Sequence, residues 1–217
     1  MSFTRPTCAQ CVFTTLAAAG ALPALAQTTI VFRDNTNVVS SDNIINIPNY
    51  QGTQDSTMDS GSPTNNMGAW IDFEVGSGSG SADRDSVIRF DVTSLNGQYN
   101  VVNAVHLRLF LYGNGFSGNS PNLPRALDVT RINATDNWVE GTMNGPIGTP
   151  QPGSACWTAP QLGGPGWNPG APLAMNFTVF PGQQNSYIDI PLGGNLTALI
   201  GGWVTNPQNA GMRVSLS

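Results

Sequence analysis

The residues best suited to binding chemistry are aromatic. Trp157 and Trp167 stand in a Gly- and Pro-rich stretch, residues 143–172, that shows neither strand nor helix periodicity. Long irregular segments in compact domains tend to be functional. An exposed indole beside amides and carboxylates can stack on a sugar ring while its neighbours bond the hydroxyls. Trp70 and Tyr112, on polar faces of expected strands, are second choices. The competing role for Trp157 and Trp167 is to tie the loop down by packing. Trp138 and Trp203 are assigned to the core.

Calcium needs several converging oxygens. Asp83 with Asp85, and Asp34 with Asn35 and Asn37, supply part of such a set, and neither completes a loop signature. A structural calcium is compatible with these acids, and no cofactor is required. Asp136 and Glu140 form a close carboxylate pair containing a glutamate, and glycoside hydrolysis uses two carboxyls about 5–10 Å apart. Glu140, next to Gly141 and Thr142, reads better as a carboxylate bonded to turn amides. His106 is the single histidine, so one chain cannot build a multi-histidine zinc site. Residues 115–119 (GFSGN) fall short of a nucleophile elbow, and a chain without lysine has no Gly-Lys phosphate loop. Catalysis is not supported.

Charge narrows the partners. All eight basic residues are arginines, and thirteen acids give a net charge of -5. Phosphate binding needs clustered Lys or Arg, so nucleic acid is excluded as a partner. An amide-rich, acidic surface suits the extracellular medium and neutral polymers. The chain opens like an export signal: Arg5, the apolar run 11–25 (CVFTTLAAAGALPAL), then a small-x-small site at residues 24–26. Residues 1–26 are expected to be removed and residues 27–217 to form one domain. The run is shorter than the roughly 20 residues of a membrane span, and no later segment could serve. Cys8 and Cys11 would leave with the signal. Cys156 would then remain alone, able to pair only between chains if exposed.

Positioning these residues falls to short strands. With 40% hydrophobic residues, 25 Gly and 16 Pro, the composition is that of an all-β domain with many turns. Strands are expected at 28–32, near 44–47, and at 69–75, 84–92, 104–112, 126–132, 173–180 and 186–190, with another beginning at 212. The arms around 84–92 and 104–112 suggest a hairpin, the second carrying Val105, Leu107, Leu109 and Leu111 on one apolar face. GSGSGSA at 76–82 reads as a hairpin loop. Along 173–180, Met175, Phe177 and Val179 are expected to point inward. Leu196, Leu199, Ile200 and Trp203 recur at helical spacing and predict one short capping helix.

Five features occur in a specific order: Gly52 to Thr57 (GTQDST), Ser86 to Val92 (SVIRFDV), Ala104 to Leu109 (AVHLRL), Asn137 to Thr142 (NWVEGT), and Trp203 followed by Asn209 to Met212 (NAGM). This series resembles the DNRLRE family, described also as disaggregatase-related and as carbohydrate-binding module family 96. The resemblance implies a jelly-roll-like antiparallel β-sandwich, secreted, with polysaccharide recognition in some members. The family usually has a further strand after the 206–211 turn and an aromatic soon after Glu-Gly-Thr. Here an insertion precedes Trp157. The expectation is therefore a secreted, non-catalytic module that binds extracellular or cell-wall polysaccharide through the long loop. The alternative is a structural protein of the cell surface, matrix or a filament, self-associating through an incomplete last strand or Cys156.

Overall fold

Period-two alternation governs most of the chain, and a computed structural model describes residues 2–4, 9–16, 28–70, 72–77, 82–111, 123–144 and 148–217. In chain order the strands are β1 (Ser2–Thr4), β2 (Ala9–Leu16), β3 (Thr28–Phe32), β4 (Val38–Val39), β5 (Asn46–Ile47), β6 (Thr53–Asp59) and β7 (Asp72–Glu74). They continue with β8 (Gly76–Ser77), β9 (Asp83–Phe90), β10 (Val101–Leu111), β11 (Arg125–Arg131), β12 (Ala171–Val179), β13 (Ser186–Leu192) and β14 (Met212–Leu216). One α-helix, α1 (Leu196–Trp203), lies between the last two. The protein is thus mostly β.

All strand pairings among the described residues are antiparallel. The main sheet has five strands in the order β12-β11-β14-β9-β6, with β8 also paired to β9, and a second sheet runs β13-β10-β2-β3. The largest apolar cluster draws on both sheets, joining Ile88, Phe90, Val129 and Val214 to Ile30, Phe32, Leu107, Leu109 and Ile190. A smaller cluster of Met58, Val87, Ile132, Trp138 and Ala155 lies on the other side of the main sheet, beneath the loop that carries Trp157 and Trp167. Successive residues point to opposite faces, so Val87 and Ile88 serve different clusters.

Three sequence expectations are corrected. The arms around 84–92 and 104–112 do not form a hairpin: β9 belongs to the main sheet and β10 to the second. The connection contains a 3-10 turn at Thr93–Leu95 with Val92 and Leu95 buried. It carries the chain between sheets, whereas a hairpin joins neighbouring strands through about 2–5 residues. Met175 is 52% exposed and does not point inward. The pairing register of β12 with β11 shifts twice, and Asn176 has φ +54. The Asn176 N–H donates to Asp128 Oδ1 at 2.8 Å. A bulge of this kind re-aims the side chains around it. The strand expected over 69–75 shortens to β7, and Trp70 lies in the preceding turn.

Other readings hold locally. Val105, Leu107, Leu109 and Leu111 are all buried. Gly76 and Ser77 pair with Arg84 and Asp83, while residues 78–81 of the expected GSGSGSA loop lie outside the described residues. The helix is capped by Asn195, whose side chain accepts from the Ala198 N–H at 3.0 Å. It buries Leu199, Ile200 and Trp203. No helix among the described residues is long and apolar enough to cross a membrane. Ala9–Leu16, within the segment that reads as an export signal, forms β2 between β10 and β3. Residues 17–27, with the expected cleavage site, lie outside the described residues. β14 is paired on both sides, to β11 and to β9, so the last described strand is not an edge. Cys156 is fully buried, which withholds its thiol from pairing between chains.

Candidate functional site

The outer face of the main sheet sets polar side chains beside the buried Val87. In register, Thr130 of β11 opposes Arg213 of β14, and Arg213 opposes Val87 of β9. Asp85 lies two positions from Val87 and so shares its face. Arg213 reaches Asp85 through Nε at 2.8 Å and Nη2 at 2.5 Å from the same carboxylate oxygen. The loop then folds over these side chains. The Arg213 guanidinium carbon sits 5.4 Å from the centroid of Trp157, within cation–π range. Trp157 is half-buried and packs against the smaller apolar cluster.

Together these groups line a cleft of about 630 Å3 whose walls include Asp83, Arg84, Asp85, Trp157, Arg213 and Ser215. Arg84 is spoken for: it pairs with Asp59 at 3.1 Å and with Glu74. Burial pushes the Asp85 carboxyl above the usual aspartate range, against the pull of Arg213, and nearby Asp83 adds to the rise. The cleft offers one aromatic surface, carboxylates that accept, and arginines and hydroxyls that donate. That combination suits a polyhydroxylated ligand. A second cleft, about 510 Å3 and lined by Tyr50, Gln51, Asp91 and Thr93 among others, has no carboxylate–arginine pair.

The structure sorts the sequence candidates. Trp157, Asp83 and Asp85 come together in the first cleft. Trp167 is half-buried and donates its indole N–H to the Cys156 carbonyl at 2.9 Å, which makes it a loop anchor. Trp70 is half-buried with an indole nitrogen that meets no hydrogen-bond acceptor. Tyr112 lies outside the described residues. Asp34 is elsewhere, accepting from the Thr53 N–H at 2.9 Å. Among the described residues no three His, Cys, Asp or Glu side chains converge as metal ligands would. Asp136 is 2% exposed and accepts from the Asn168 N–H at 2.9 Å. Glu140 accepts from the Asp55 N–H at 3.3 Å.

Arg213 was the residue sequence reasoning missed. Its only signal is its place in β14, polar between the buried Met212 and Val214. That marks an outward position without revealing that the loop will bring Trp157 onto it.

A buried arginine packs against Trp138, a member of the apolar cluster on which Trp157 sits. Arg89, 2% exposed, lies 4.4 Å over the Trp138 ring. Its guanidinium donates to the Trp138 carbonyl at 3.1 Å, the Asn209 carbonyl at 3.4 Å and the side-chain oxygens of Gln54 and Gln208. Trp138 in turn donates its indole N–H to the Ala210 carbonyl at 2.7 Å. Burial pushes Arg89 down to about 10, with Glu140 acting the other way, so it stays charged at neutral pH. One side chain thus ties together β6, β9, the 137–142 segment and the turn before β14.

No protein-family model, curated protein or solved structure matches this chain.

Proposed function

We propose that this chain is a secreted, non-catalytic module that binds extracellular or cell-wall polysaccharide in the cleft under Trp157, on a jelly-roll-like β-sandwich of the DNRLRE type. The supporting observation is the meeting of Trp157 with Arg213, Asp85 and Asp83 in one cleft on the outer face of the main sheet. An indole edge or face can take the apolar side of a pyranose. Ion-paired carboxylates and guanidinium groups can bond several hydroxyls at once. Asp136 and Glu140 are engaged with backbone N–H groups, in keeping with a module that binds without cleaving.

The test is retention of the full chain on a panel of soluble and insoluble polysaccharides, with and without a calcium chelator. Trp157→Ala is expected to lose retention at least tenfold while keeping the far-UV spectrum of the parent. Trp167→Ala is expected to lower stability before it lowers retention, because its indole anchors the loop. Loss of retention in the chelator arm alone would assign a role to calcium. No retention on any polymer by the folded chain would overturn the reading.

A further inference from the structure

The second sheet holds an interior position filled by a segment that reads as removable. β2 pairs with β10 from Val101↔Leu16 to Leu109↔Ala9, and with β3 from Cys11↔Phe32 to Thr15↔Thr28. Among the described residues it is the strand that joins those two in the sheet. Removing residues 1–26, as the export reading requires, would take β2 away and bare backbone donors and acceptors along both neighbours.

The gap cannot close by simple approach. β10 and β3 are each antiparallel to β2 and therefore parallel to one another. Neighbouring strands are about 4.8 Å apart, so the two lie about 10 Å from each other and would have to form a parallel pair in an otherwise antiparallel sheet. β3 is also held from its other side. Its Thr29 N–H donates to Ser41 Oγ at 3.1 Å and its Thr29 carbonyl accepts from the Ser41 N–H at 3.2 Å, and its Thr28 hydroxyl donates to Asp42 at 2.9 Å. Ile30 and Phe32 are fully buried, with Phe32 edge-on to Tyr50 at 5.4 Å. Moving β3 toward β10 would break these contacts.

We infer that the space between β3 and β10 is a strand-acceptor site which, once residues 1–26 are gone, takes an extended segment of a neighbouring polypeptide. The present occupant specifies the chemistry. Ala9–Leu16 (AQCVFTTL) is uncharged, and its Ala9, Cys11 and Phe13 hold register positions opposite the buried Leu109, Leu107 and Val105. The incoming strand must run antiparallel to both neighbours and carry apolar residues at alternate positions over about eight residues, as in other cases of strand addition. The site differs from the polysaccharide cleft, which lies on the main sheet, and its opening rests on the export reading.

The test uses the full chain, expressed so that residues 1–26 stay attached, with a specific protease site placed within residues 17–27. After cleavage of the folded protein, a labelled peptide of residues 9–16 carrying Cys11→Ser is added in excess. Exchange to one peptide per chain, retained through size exclusion, is expected, and a peptide N-methylated at alternate residues should not exchange. The amides of β3 and β10 that face β2 should stay protected only while the site is filled. A cleaved, folded chain that takes up no peptide, or that protects those amides with the site empty, overturns the inference. Should cleavage unfold the chain, uncleaved Phe13→Pro gives the second reading: loss of protection along β3 and β10, restored by the peptide, is expected, and unchanged protection overturns it. The intact mass of the exported chain tests the export reading separately. Retention of residues 1–26 there would sink the vacating step while leaving the peptide result to stand on its own.

Discussion

Arg89 shows how a single side chain can decide whether a surface loop has a floor. Its charge is buried against Trp138 and satisfied by acceptors from three other segments. Removing one partner of such a network leaves the rest desolvated without compensation. Arg89→Ala is therefore expected to cost about 3–5 kcal/mol, read from the midpoint of urea unfolding. Asp85 makes a different case. Burial raises its pKa, so the folded state binds this proton more tightly than the unfolded chain does. Its contribution to stability is greatest below the ordinary aspartate range and declines as pH rises through the folded value. The ionised form is nevertheless the one that holds Arg213 beside Trp157. Polysaccharide retention is expected to fall as pH drops through the folded value, above the usual aspartate midpoint, and Asp85→Asn should flatten that profile.

At the scale of elements, two motif glycines explain themselves once their neighbours are known. A Cβ on Gly141 would come within 2.1 Å of the Asn66 carbonyl oxygen, so the Glu-Gly-Thr segment passes directly over the 66–68 turn. Gly211 has φ +70, and a Cβ there would lie 2.2 Å from the Ile88 carbonyl oxygen. Gly211→Ala combines a left-handed backbone with a backbone clash at the entry to β14, and is expected to destabilise by more than about 1 kcal/mol, measured as a fall in Tm. The sequence made the helix and most strands legible, because Leu199, Ile200 and Trp203 keep helical spacing and Val105 to Leu111 alternate without interruption. It could not reveal that β9 and β10 part into different sheets, since each arm buries an alternating face either way. Nor could it reveal the bulge at Asn176, which breaks the alternation of β12 without leaving a mark in residue type. Of the site, aromatic residues in an irregular loop pointed to Trp157. Its separation from Trp167 depends on a hydrogen bond to the Cys156 carbonyl, which only the packed loop creates.

For the whole molecule, the order of strands in space matters as much as their number. The main sheet places β14 between β11 and β9, although β14 follows every other strand along the chain. The Arg89 network likewise joins residues 120 positions apart. Contacts this distant in sequence close late and slowly, because loop entropy must be overcome before they return anything. While the ribosome is still making the chain, β9 and β11 have no neighbour between them, and the floor beneath Trp157 cannot assemble. The main sheet therefore closes only once residues 212–216 are available to fill the gap between β9 and β11.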